Sequence, residues 1–148
     1  MFHLYEFEVF EDEGWFLALP YDWEGGTQGE TLEEACEMAA DWLRVMCEDC
    51  AMHDKEFPVP TFGNDPRNGG RVVLLGIEAG LDTVRKVTAS EAARTLGVTP
   101  GRVTQMLDAG LLEGWREGHR TWVTMDSVET RLAEQPKAGR PRKAATVS

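Results

Sequence analysis

Apolar and polar positions alternate from Tyr5 to Val9, where Glu6 and Glu8 separate Tyr5, Phe7 and Val9, the period of a strand with one buried face. Glu11-Asp12-Glu13-Gly14 interrupts the pattern, and Trp15, Leu17 and Leu19 resume it up to Pro20. Residues 3–19 are therefore expected to form a β-hairpin with a four-residue turn. Tyr21 to Gly29 follows as a loop with a short third strand near Thr27. Thr31 and Glu34 have the spacing of a capping box. Behind them Leu32, Ala35, Cys36, Ala39, Leu43, Met46, Cys47 and Cys50 recur at helical spacing, predicting one helix of about 20 residues across the sheet. Phe57-Pro58-Val59-Pro60 cannot continue that helix. Asn64 to Gly70 is a polar turn, and Arg71 to Ile77 a further strand.

From Val87 the period changes. Thr88 to Glu91 is a second capping box, and its helix runs through Ala92, Ala93 and Leu96 to Gly97, which can take the left-handed conformation that ends it. Thr99 caps the next helix, with Pro100 at its first position, and Val103, Met106 and Leu107 form its buried face up to Gly110. Two short helices joined by Gly97-Val98-Thr99 describe a helix-turn-helix. Leu111 to Val123 has apolar ends around a Gly-containing tip, the pattern of a β-hairpin that would serve as a wing. Asp126 is the expected cap of a closing helix carrying Val128 and Leu132.

The fold expected is α+β: a small N-terminal antiparallel sheet with one long helix over residues 1–80, a winged helix-turn-helix over 81–134, and a basic tail over 135–148. The tail has too few apolar residues to fold alone. No apolar run is long enough to span a bilayer, and the N-terminus lacks the pattern of a secretion signal, so a cytoplasmic location is expected.

Charge sharpens the division. The net charge of -11 taken whole argues against nucleic acid, yet residues through Lys86 hold 19 Asp+Glu against 6 Lys+Arg, and those from Val87 hold 7 against 9. An acidic front and a mildly basic back imply two partners of opposite sign.

Placing Val103, Met106 and Leu107 inward turns Gly101, Gln105 and Asp108 outward, with Arg102 and Thr104 on the flanks. Arg102 and Gln105 suit base edges in the major groove, while Thr99, Thr104 and the helix N-terminus suit phosphate. Arg116, His119 and Arg120 at the wing tip are placed for the backbone or minor groove. In the tail, Arg140, Arg142 and Lys143 add positive charge, and Gly139-Arg140-Pro141 is similar to the AT-hook motif. In the front half, Glu6, Glu8, Asp22, Glu24 and Glu30, with Trp15, Tyr21 and Trp23, form the expected acidic and aromatic contact surface for a protein partner. Core packing is the competing reading for those aromatics.

Enzyme constellations are not apparent. His3, His53 and His119 are dispersed with no Ser or Cys in a nucleophile context, and no glycine-rich phosphate loop occurs. Cys36 and Cys47 lie about 16 Å apart along the helix, too far to share a zinc, and Cys47, Cys50 and His53 lack a fourth ligand. Neither a metal nor a cofactor is expected, and the cysteines are assigned to the core.

Val87 to Ala133 resembles the excisionase-like and MerR-like winged helix-turn-helix family. The hairpin from Tyr5 to Pro20, the segment Gln28-Gly29-Glu30-Thr31-Leu32-Glu33-Glu34-Ala35, and the exit at Pro58 and Pro60 together resemble the HicB antitoxin family. That resemblance implies a truncated ribonuclease-H-like N-terminal domain without nuclease activity, which occludes a small basic mRNA-cleaving toxin, HicA. It also implies a C-terminal domain that dimerises or binds the operator of its own operon. The chain departs from the family at Tyr21 to Gly26, which lacks the usual Pro-Gly-Cys-type turn, and in having a winged DNA module. The function expected is an antitoxin and autorepressor, with a small basic toxin, operator DNA and a second copy of the chain as partners. The alternative is a stand-alone helix-turn-helix regulator with a ligand-sensing N-terminal domain. A divalent-metal nuclease would need carboxylates converging on one cleft.

Overall fold

Alternation through Tyr5, Phe7 and Val9 does make a strand, β1 (Phe2–Asp12), which pairs with β2 (Trp15–Pro20) in a ladder that runs on to Asp12 opposite Trp15. The turn is thus two residues, Glu13-Gly14, and not the four predicted from Glu11 to Gly14. Both take positive φ, 51° and 85°, the geometry whose twist matches a right-twisted hairpin, so the acidic run is absorbed into strand and turn alike.

The computed structural model describes residues 1–134 and separates into two units, Met1–Thr83 and one that begins at Val84. In the first unit β3 (Thr27–Gly29) adds to β2, and β4 (Arg71–Glu78) adds to the other side of β1. The antiparallel sheet has the order β3-β2-β1-β4, with β1 central. Helix α1 (Leu32–Met52) lies across one face. Thr31 caps it by accepting the Glu34 N–H at 3.0 Å, while the Glu34 carboxylate accepts the Glu30 N–H at 2.7 Å, one residue before the expected partner. Gly29 allows β3 to pass close to this helix start, since a Cβ there would lie 2.6 Å from the Ala35 nitrogen. The core joins Tyr5, Phe7, Val9 and Ala18 of the sheet to Ala35, Ala39, Leu43 and Cys47 of the helix.

In the second unit, β5 (Lys86–Thr88) leads into α2 (Ala89–Leu96), then α3 (Pro100–Asp108) and the hairpin β6 (Gly114–Glu117) and β7 (Arg120–Thr124). Both halves of the Thr88–Glu91 capping box form, Gly97 turns left-handed at φ 73°, and Thr99 caps α3 with Pro100 in its first turn. The strand β5, unforeseen in the sequence, pairs with β7 through Val87 opposite Val123, giving a sheet of order β5-β7-β6. A closing helix, α4, starts at residue 125 and is described through residue 134. Its cap is Thr124, whose hydroxyl accepts the Ser127 N–H, and not Asp126, whose carboxylate meets Arg85 at 3.2 Å. Ala92, Ala93, Leu96, Val103, Met106, Leu112, Val123 and Val128 form this unit's core.

Candidate functional site

The second unit keeps one face of α3 in solvent. Thr99, Gly101, Arg102, Thr104 and Gln105 are all exposed, while Val103 and Met106 are buried beneath them and Leu107 packs at the edge of the same core. Arg102 Nη1 donates to Gln105 Oε1 at 3.4 Å, so two groups suited to base edges stand together. The Thr99 hydroxyl already accepts the Arg102 N–H, and the Thr104 hydroxyl donates to the Pro100 carbonyl. Asp108 is exposed at the C-terminal end of α3.

On the hairpin, Arg116, His119 and Arg120 are exposed around the turn at Gly118, which takes φ 64°. The guanidinium of Arg120 and the ammonium of Lys86 lie 5.3 and 5.2 Å from the centre of the Trp122 ring, held by its negative face. A shallow cleft of about 600 Å³ between the hairpin and the start of α2 is lined by Thr88, Ala89, Ser90, Glu117, His119, Arg120 and Thr121. Arg140, Arg142 and Lys143 lie outside the described residues.

The first unit places the expected contact residues differently. Glu6 and Glu8 are buried, and their carboxylates are filled by the chain's own segment between α1 and β4. Glu6 accepts the N–H of Gly63 and of Asn64, each at 3.0 Å, and the Asn64 side-chain amide at 2.9 Å. Glu8 accepts the N–H of Arg67 at 3.0 Å, of Asn68 at 2.7 Å and of Gly70 at 3.0 Å, and the Asn68 amide at 2.9 Å. Asp22 accepts the Thr61 N–H and hydroxyl at 2.9 and 2.8 Å. Tyr21 donates to the Asp65 carbonyl at 2.8 Å, with the Arg67 guanidinium 4.8 Å from its ring centre. Two further anchors fix the start of the segment: Tyr5 donates to the Pro58 carbonyl at 2.6 Å, and the His3 and Phe57 rings stack at 4.7 Å.

These contacts have electrostatic consequences. The N–H groups of Asn64 and Gly63 hold the Glu6 carboxyl below its ordinary range. Burial pushes the Glu8 carboxyl up, but the N–H groups of Asn68, Arg67 and Gly70 together outweigh it, so the net direction is downward. Burial raises the Tyr5 phenol to about 12 and the Cys47 thiol to about 12, so neither ionises near neutrality. Cys47 thereby behaves as a small apolar core group.

Trp23 is also turned inward, edge-on to Tyr5 at 5.4 Å and to Trp42 at 6.3 Å, and packs on the core. Of the eight residues expected to face a partner, Glu6, Glu8, Tyr21 and Asp22 therefore fasten a loop and Trp23 packs on the core. Trp15, Glu24 and Glu30 stand exposed. The sequence does carry a signal for this clamp: two carboxylates two residues apart on one strand face, and a distant Gly63-Asn64 and Arg67-Asn68-Gly69-Gly70 rich in N–H donors.

No protein-family model matches the chain. The chain is similar to Antitoxin HicB 1 of Photorhabdus laumondii, with 36% identity over 106 residues, 68% of this chain and 66% of that relative, so it spans just under two thirds of the relative's length. A solved chain described as Toxin-Antitoxin complex from Streptococcus pneumoniae is similar over 74% of this chain and 99% of that chain, with 18% identity and a TM-score of 0.47. Likeness at that level carries no statement about function. Among the described residues no helix is long and apolar enough to cross a membrane.

Proposed function

We propose that this chain is a HicB-type antitoxin that neutralises a small basic mRNA-cleaving toxin through its first unit and represses its own operon through its second. The observation that carries the reading is the 36% identity to Antitoxin HicB 1. The first unit supports it by charge: 19 Asp+Glu against 4 Lys+Arg between Met1 and Thr83 would attract a cationic protein and speed encounter with it. In this reading the sheet and α1 form a truncated ribonuclease-H-like fold used for binding and not for catalysis. Trp15, Glu24 and Glu30 contribute to the rim of the contact.

The second unit is, in the same reading, a winged helix-turn-helix. Its α3 enters the major groove with Arg102 and Gln105 on base edges and Thr99, Gly101 and Thr104 against the backbone, while Arg116, His119 and Arg120 reach the flanking strand from the wing. The tail residues Arg140, Arg142 and Lys143 add phosphate contacts. A dimer would match the twofold symmetry of an operator, and the protein acts in the cytoplasm without cofactor or metal.

The experiment pairs the purified chain with the small basic protein encoded beside its gene and with duplex DNA from its own promoter. Inhibition of that protein's RNA cleavage together with a sequence-specific mobility shift is the expected result. Failure of both discards the reading.

A further inference from the structure

The sheet of the first unit has two faces, and α1 covers only one. On the other, β1 directs Phe2, Leu4, Glu6 and Glu8, and their directly opposite partners on β4 are Glu78, Gly76, Leu74 and Val72. Opposite residues share a face, so Leu74 stands beside the Glu6 carboxylate. Phe62 immediately precedes Gly63, whose N–H binds that same carboxylate, and so flanks it from the loop. The Phe2 ring lies over Gly76, where a Cβ would come within 2.5 Å of its Cζ. Phe2, Phe62 and Leu74 are thus gathered around one clamped acid, and they are 62%, 55% and 52% exposed.

Isolated apolar side chains at a surface need no explanation, but these are grouped and one sits on an unusually built loop. Segments as long as His53 to Gly70 without helix or strand are uncommon and are either disordered or functional. Here the backbone is fixed by Glu6, Glu8 and Asp22, while Phe62 is left outside. Polar groups have been turned in and an aromatic turned out, the reverse of what folding alone favours. Fixing an aromatic in advance lowers the entropy cost of binding through it.

We propose that Phe62, Leu74 and Phe2 form the apolar centre of a docking surface for a small basic protein, whose matching apolar patch is rimmed by Lys and Arg. The acidic excess of Met1–Thr83 selects that charge over a neutral or acidic partner. The inference rests on the antitoxin reading for the partner's identity and adds the site, which is centred on apolar contact with a clamped loop as its support.

The test uses the full chain and the basic protein encoded beside its gene, with affinity and rates measured at low and high salt. Phe62→Ser with Leu74→Thr should weaken binding about 30-fold or more, mainly through faster dissociation and to a similar extent at both salt concentrations. Val45→Ser, at a 63% exposed position on α1, should leave it unchanged. Glu8→Gln, which loosens the loop while keeping side-chain volume, should weaken binding by a smaller factor. If wild type binds and the Phe62/Leu74 variant, folded by circular dichroism, binds equally well, the docking surface is wrong while the antitoxin reading stands. The docking surface is equally refuted if that variant loses self-association and keeps the basic partner. If wild type fails to bind, both fall together.

Discussion

In the first unit Glu6, Glu8 and Asp22 turn toward the chain's own backbone and hold a loop in place, whereas in the second Arg102, Arg116 and Arg120 stand in solvent. Both units contain short helices or strands and a small core, yet they treat ionised side chains in opposite ways. Buried N–H groups of a loop need acceptors, and a carboxylate can serve three or four of them at once. The second unit closes its loops with helix caps and tight turns, which leaves its cations free of structural duty. Charge counted along a chain is therefore a poor map of charge on its surface: part of the acidic excess of the first unit is architecture.

The steepest loss is expected in a feature both units share, a packed core. Phe7→Ala removes a fully buried ring edge-on to Trp42 and should cost the first unit about 4 kcal/mol, read by denaturant unfolding followed through the fluorescence of Trp23 and Trp42. Next comes the clamp, where the units differ: Glu8→Ala leaves the N–H groups of Arg67, Asn68 and Gly70 without their acceptor and should cost about 2–3 kcal/mol, a penalty no surface carboxylate carries. A loss below about 0.5 kcal/mol would erase the distinction between the units.

Acid should discriminate them as well. Glu6 and Glu8 are held below their ordinary range in the fold, so the stability they confer is fully present above the unfolded value of about 4.3 and is lost as pH falls through the folded values. The first unit should lose stability over that acid window, and Glu8→Gln should flatten the slope. A smaller effect is expected in the second unit, where Thr88→Ala removes the cap of α2 and should cost about 1 kcal/mol by thermal unfolding.

What the sequence made legible follows local physics. Capping residues Thr88, Glu91 and Thr99, the left-handed Gly97 and the apolar offsets of Val103 and Met106 act within a few positions of themselves, so α2 and α3 were readable almost residue by residue. The exposed face of α3 followed from the same periodicity. Long-range pairings were not readable. Glu6 meets Asn64 and Glu8 meets Asn68 across some 60 positions, and no periodic pattern announces such a contact. Strand β5 was hidden because three residues are too few to show a period, and Val87 and Thr88 also serve the helix that follows. Tyr21 and Trp23 had the composition of an interface and the geometry of a scaffold, a difference visible only once their partners were placed.

If one chain carries two separable binding surfaces, Arg102→Ala with Gln105→Ala must divide them. Both side chains are exposed, so the double variant should fold as wild type does. Titrated in parallel with its promoter duplex and with the basic protein encoded beside its gene, it should lose sequence-specific DNA binding by about 100-fold or more and hold the protein as tightly as before. Equal loss of both activities would mean that the two surfaces are not separate.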